Sequence, residues 1–168
     1  MRPAVLLKIL EARFPTLGPR LRKLFVEYGV PLNRALGIRL DLRGSGPQRT
    51  VLHLPRRRRN LNAGGTVHGG VITAFAETAH GVAVLWHFHP AEHRMVTRRL
   101  RVDFLAPAWD GLSVDFRFPD AMRKRIQEEL EAHGGCDFLL RAEITDRRGT
   151  PVATLEGYYR LRRTPPPG

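Results

Sequence analysis

Between Asn62 and Gly70 the chain reads Asn62-Ala63-Gly64-Gly65-Thr66-Val67-His68-Gly69-Gly70, and it then enters a long apolar segment holding one carboxylate, Glu77. Glycines let a backbone approach a ligand closely. A helix starting at this point would present unpaired N–H donors and the positive end of its dipole to a developing oxyanion. A carboxylate within an apolar helix is costly to keep unless it is paired or wet, so Glu77 is a candidate base or nucleophile. The same residues also have structural uses. The glycines suit a tight turn and close packing, Asn62 suits a loop cap, and His68 suits a hydrogen-bonded structural histidine. Glu77 could be the ion-pair partner of Arg98 or Arg99.

The elements that must position these groups are read from periodicity. Residues 1–31 carry Val5, Leu6, Ile9 and Leu10, then Leu21, Leu24 and Phe25, at helical spacing on either side of Pro15 and Pro19, which predicts two short amphipathic helices. Gly37 to Arg43 and Arg49 to Leu54 alternate around Gly44-Ser45-Gly46-Pro47 and form a hairpin. Gly70 to about Trp86 is apolar on nearly every side, a helix buried within the protein. Strands are expected at Met95–Leu105, Leu112–Phe118, Cys136–Asp146 and Val152–Leu161. Between the second and third of these, Pro119 to His133 has Met122, Ile126 and Leu130 as the narrow stripe of a surface helix. The class is α+β, a curved antiparallel sheet around a central helix. Its expected division is an N-terminal helical segment at 1–31, the main domain at 32–163 and a tail at 164–168.

Composition narrows the function. A chain of 168 residues, 42% hydrophobic, supports one domain with a real core. The net charge of +12 raises a polyanion as partner, yet the arginines run from Arg2 to Arg163 rather than along one segment, which argues against a dedicated nucleic-acid role. Arg56-Arg57-Arg58-Arg59, just ahead of Asn62, reads as a local phosphate patch. No apolar run reaches the roughly 20 residues of a membrane helix and no signal peptide is recognisable at the start, so a cytoplasmic protein without membrane insertion is expected. Cys136, the single cysteine, offers no disulfide and carries no sign of a nucleophile. His87, His89 and His93 cluster without the acid or thiolate spacing of a metal site, so no metal is expected. Neither a phosphate-binding loop nor a Gly-x-Ser-x-Gly elbow is present.

The order of motifs resembles the hotdog-fold thioesterase superfamily: Asn62, five residues, His68-Gly69-Gly70, and Glu77 nine positions after the histidine. The likeness continues in Phe104-Leu105-Ala106-Pro107-Ala108 and in Ile144 to Gly149 followed by Val152-Ala153. With the inserted charged helix at Ala121 to Glu131, the whole is most similar to the uncharacterised hotdog family DUF4442. That resemblance implies a homodimer or tetramer whose paired sheets build sites at the interface, and an acyl-CoA thioesterase needing no cofactor beyond the coenzyme A of its substrate. It implies Glu77 as general base or nucleophile, the Gly69 N–H as oxyanion donor, and Asn62 as the group orienting water or carbonyl, with His68 beside them. Thr97 would add a hydroxyl from the partner chain. Arg56 to Arg59, Arg98 and Arg99 would meet the phosphates of coenzyme A. Better-known relatives often carry Asp at the Glu77 position. A non-catalytic acyl-CoA or fatty-acyl binding protein is the alternative reading. His87-Phe88-His89-Pro90 echoes the His-Phe-Pro of hotdog dehydratases, but it follows the central helix instead of preceding it.

Overall fold

The computed structural model describes residues 3–164, so most of the tail expected at 164–168 lies outside the described residues. Six antiparallel strands form one sheet in the order β1-β2-β4-β5-β6-β3. They span Arg39–Leu40 (β1), Arg49–Leu54 (β2), His93–Phe104 (β3), Leu112–Arg117 (β4), Gly135–Asp146 (β5) and Pro151–Arg163 (β6). Alternation decides which face is covered. Leu52 and Leu54 of β2, Val114 and Phe116 of β4, Phe138, Leu140 and Ile144 of β5, and Leu155, Tyr159 and Leu161 of β6 are all buried.

The element they cover is the helix Gly69–Leu85, here α4, which contacts β2, β4, β5 and β6. Phe75, Ala76, Ala79 and Ala83 are almost without exposure. The small side chains among them let the sheet close on the helix at short range. This is the α+β arrangement expected from the sequence. The helix Asp120–His133 (α5) lies against β5 with Ile126 and Leu130 buried and ends at Gly134 in the left-handed conformation, φ 67°.

At the N-terminus the two expected helices are present as Pro3–Arg13 (α1) and Gly18–Leu24 (α2), the latter running on into a wide turn at Phe25–Gly29. A third, Pro31–Leu36 (α3), is additional, and Gly37 closes it with φ 77°. The Arg57 guanidinium occupies the space a side chain at Gly37 would need. Two polar ties hold this segment to the domain. Arg22 donates to the Leu85 and Trp86 carbonyls at 3.1 and 3.2 Å, satisfying orphan acceptors at the end of α4. Glu27, only 3% exposed, accepts from Lys23 at 2.5 Å, Arg39 at 2.8 Å and the Leu40 N–H at 2.9 Å. Burial pushes the Glu27 carboxyl up, but the hydrogen bonds from Lys23, Arg39 and Leu40 outweigh it and hold the group below its ordinary value.

Candidate active site

Glu77 stands on α4 two turns past its start and is half-buried. Its Oε1 accepts a hydrogen bond from the Thr97 hydroxyl of the same chain at 2.5 Å. This corrects the expectation that Thr97 serves from a partner: β3 folds back beside α4 and delivers it within the protomer. Among the described residues no cation pairs with Glu77. Glu77 and Thr97 sit on the wall of a cavity of about 360 Å³ between α4, the N-terminal helices and β3. That wall is otherwise mainly apolar, with Val26, Val82, Leu85, Phe88, Met95 and Leu161 among its residues.

Gly69 is the first residue of α4, and its N–H makes no hydrogen bond among the described residues. The Phe104 ring lies against it, 3.2 Å from where a Cβ would stand. Gly69 borders a separate concavity with Asn62, Phe104 and Pro107, and Glu77 is not part of it. Along the helix, Glu77 follows Gly69 by eight positions, about 12 Å at about 1.5 Å per residue. The two groups are therefore not brought together on one atom within a protomer.

Asn62 and His68 are committed locally. The Asn62 amide donates to the Thr66 hydroxyl at 2.8 Å, and its carbonyl oxygen accepts from the Thr66 N–H at 3.2 Å. It braces the loop ahead of α4 and lines the same concavity as Gly69. His68 is exposed and caps α4, its Nδ1 accepting from the Gly70 N–H at 3.0 Å. That bond places the ring proton on Nε2 and accounts for the histidine structurally.

The arginines divide. Arg56 donates to the Gly65 carbonyl at 3.1 Å, so it borders the loop before Gly69, and Arg58 and Arg59 are exposed beside it. The Arg57 guanidinium packs against Gly37. Arg98 is the extra residue of a bulge between Thr97 and Arg99 and lies in a groove with Arg94, Arg160 and Arg162 that excludes Glu77. Arg99 stacks on Tyr158 with 4.4 Å from guanidinium carbon to ring centre. Neither is the ion-pair partner of Glu77 that the sequence left open.

One polar pair escaped the sequence reading. His80, three residues beyond Glu77 and without solvent exposure, places Nδ1 2.9 Å from the Tyr159 hydroxyl. Burial holds the imidazole pKa down at about 3, so it is neutral, and raises that of the Tyr159 phenol, with the Glu77 charge adding to the rise. Tyr159 is the cross-strand partner of Thr97. A side chain at Gly157 would collide with its ring, which is why β6 carries glycine there. The signal was a histidine inside an apolar helix, one turn from the acid.

The remaining candidates have other partners. His87 reaches the Pro47 carbonyl at 2.6 Å, His89 lies 3.3 Å from Glu11, and His93 meets Phe88 edge-on at 5.5 Å. No group of three side chains among the described residues could hold a metal ion. Cys136 is buried, its thiol pushed up to about 11 by burial and by the neighbouring Glu129, so it is not a nucleophile.

The family model for DUF4442, described as a domain of unknown function, matches residues 18–159. The chain belongs to this family. Among solved structures, it is similar to a Pseudomonas aeruginosa protein of unknown function described as a probable thioesterase, at 23% identity and TM-score 0.78, covering 86% of this chain and 95% of the other. A protein of unknown function from Chlorobaculum tepidum matches at 16% identity and TM-score 0.74, over 89% and 97% of the two chains. A mutant thioesterase from Pseudomonas aeruginosa matches at 13% identity and TM-score 0.65, over 84% and 92%. These likenesses show the fold, a hotdog sheet wrapped on its central helix. No curated protein matches. No helix among the described residues is long and apolar enough to cross a membrane.

Proposed function

We propose that this DUF4442 protein hydrolyses acyl thioesters of coenzyme A to a carboxylic acid and a thiol, and that it works as a homodimer. The observation that carries the reading is the placement of Glu77: a carboxylate without a paired cation among the described residues, aimed by Thr97, on the wall of an otherwise mainly apolar cavity. In the proposed reaction Glu77 takes a proton from water as the water oxygen bonds to the thioester carbon. A backbone N–H at a helix start holds the resulting oxyanion. On collapse the C–S bond breaks and the proton passes from Glu77 to the departing thiolate.

The oxyanion donor is assigned to Gly69 of the second protomer, because the Gly69 of the same helix is about 12 Å from Glu77 along the axis. β3 supports this assembly. It is a free edge strand of 12 residues with Val96 and Phe104 exposed, and pairing with a second copy would remove the edge. Arg56, Arg58 and Arg59 beside the loop before Gly69 are the proposed contacts for the carrier phosphates.

The test is thiol release across a panel of acyl-CoAs by the wild-type protein and Glu77→Gln, with melting temperature measured on the same preparations. Release by the wild type and its loss in a stably folded variant support the reading. Binding of acyl-CoA without turnover leaves the acyl-binding role, which needs only the apolar cavity.

A further inference from the structure

Resting on the thioester reading, we infer that the substrates are straight-chain, unsubstituted acyl groups of about eight to twelve carbons, held in the cavity between α4 and the N-terminal helices. Its volume of about 360 Å³ falls within the roughly 300–1,000 Å³ of small-molecule pockets. Its length follows from the helix. Ala74, Glu77, Gly81 and Leu85 recur at intervals of three or four with Thr78 and Val82 beside them, so one face of α4 lines the space, and it runs about 12 Å from Glu77 to Leu85. A chain whose carbonyl lies at Glu77 would extend toward Leu85 and Phe88. An aryl group placed there would fill only the near part.

The chemistry of the wall selects against polar tails. Asn33 and Thr78 are bonded to each other at 3.1 Å and to the Val26 and Ala74 carbonyls at 2.9 and 2.8 Å. A hydroxyl or second carboxylate on the acyl chain would lose water at this part of the wall and find these groups already engaged; His93 Nδ1, the buried polar atom of the wall without a hydrogen-bond partner among the described residues, lies beyond them beside Phe88. Apolar surface from Val26, Val82 and Leu161 surrounds the path.

Gly81 sets the width. The nearest atom to a Cβ placed there is the terminal methyl of Met95 at 3.8 Å, so the missing side chain leaves open space opposite β3. A glycine in mid-helix costs about 1 kcal/mol against alanine, and in this position it keeps the cavity continuous.

The experiment compares wild type, Gly81→Ala and Gly81→Leu in thiol release from straight-chain acyl-CoAs of two to eighteen carbons, with benzoyl-CoA and succinyl-CoA beside them. Wild-type kcat/KM should peak between about eight and twelve carbons. Gly81→Leu should lower the ratio of decanoyl to butanoyl kcat/KM by about tenfold or more, with Gly81→Ala between and neither variant melting lower. A flat length profile, a preference for benzoyl or succinyl groups, or an equal loss at every length in Gly81→Leu overturns the inference and leaves the hydrolase reading standing. If no thioester is cleaved, that reading fails and the cavity is judged by ligand-induced melting shifts. A stabilisation by decanoyl-CoA that Gly81→Leu abolishes supports it, and no shift in the wild type overturns it.

Discussion

Replacing Glu77 by glutamine separates a catalytic carboxylate from a structural one. The amide keeps the size of the side chain and an oxygen that can still accept from Thr97, which donates at 2.5 Å in the wild type. What changes is basicity. A hydrogen bond to a charged acceptor becomes a neutral one, a loss of about 1 kcal/mol that is partly offset by no longer holding a charge against an apolar wall. For a chain of this size that net effect moves the melting temperature by no more than about 2–4 °C. Turnover of decanoyl-CoA should fall by about two to four orders of magnitude, a barrier increase of about 3–5 kcal/mol. A structural ion pair would behave differently, since a buried arginine left without its partner costs about 3–5 kcal/mol. Arg98 lines a groove that excludes Glu77 and Arg99 stacks on Tyr158, so that outcome is not expected. The assay is thiol release under saturating substrate with thermal melting on the same dimer preparation. Full activity in a stable Glu77→Gln dimer would refute the assignment, and activity that falls only in step with unfolding would return Glu77 to a structural role.

His80 should make the fold sensitive to mild acid: its folded pKa is near 3 and its ordinary value is 6.5, so protons bind the unfolded chain first and stability is lost as pH falls below 6.5. At pH 5 the loss should be about 2 kcal/mol, read as the difference between wild type and His80→Gln in denaturant titrations at pH 7 and pH 5. Glu27→Ala, which strips the acceptor from Lys23, Arg39 and the Leu40 N–H, should cost about 3 kcal/mol in the same assay. Because the Glu27 carboxyl is held low, its contribution is present above pH 4.5 and fades as pH drops from there. Light scattering at micromolar concentration should give twice the 19.0 kDa of one chain; a monomer would refute the shared site. Coenzyme A affinity should weaken with added salt and with joint substitution of Arg56, Arg58 and Arg59 by serine, measured by calorimetry; unchanged affinity would move the phosphate contacts elsewhere.

The architecture was legible because its signals are local. The apolar run after Gly69 has no polar face for water, so a helix built from it must be enclosed, and the Ala-rich positions show that the enclosure is tight. Alternation in β2, β4, β5 and β6 marks one covered face, and the Met122, Ile126 and Leu130 stripe marks a helix lying on the surface. The six residues of α3 are too few to show a period, which is why that helix was not anticipated. The start of α4 with its open Gly69 donor, and Glu77 as the acid within it, could also be read directly.

Which residues meet those groups was decided by register and packing over long separations. Thr97 reaches Glu77 from 20 residues away because β3 returns alongside α4, and the bulge that follows leaves Arg98 in a separate groove and Arg99 on the Tyr158 ring. Asn62 and His68 have the types and spacing of site residues, and the fold adds local bonds that the sequence does not show, from Asn62 to Thr66 and from the Gly70 N–H to His68 Nδ1. A residue list does not reveal how a side chain divides its hydrogen bonds between neighbours and ligand. His80 and Tyr159 stand 79 positions apart and meet only because the buried face of α4 and the pleat of β6 coincide. Periodicity within one segment carries which face is apolar; the partner across a fold depends on how two such faces are aligned, and that alignment exists only once the chain has closed on itself.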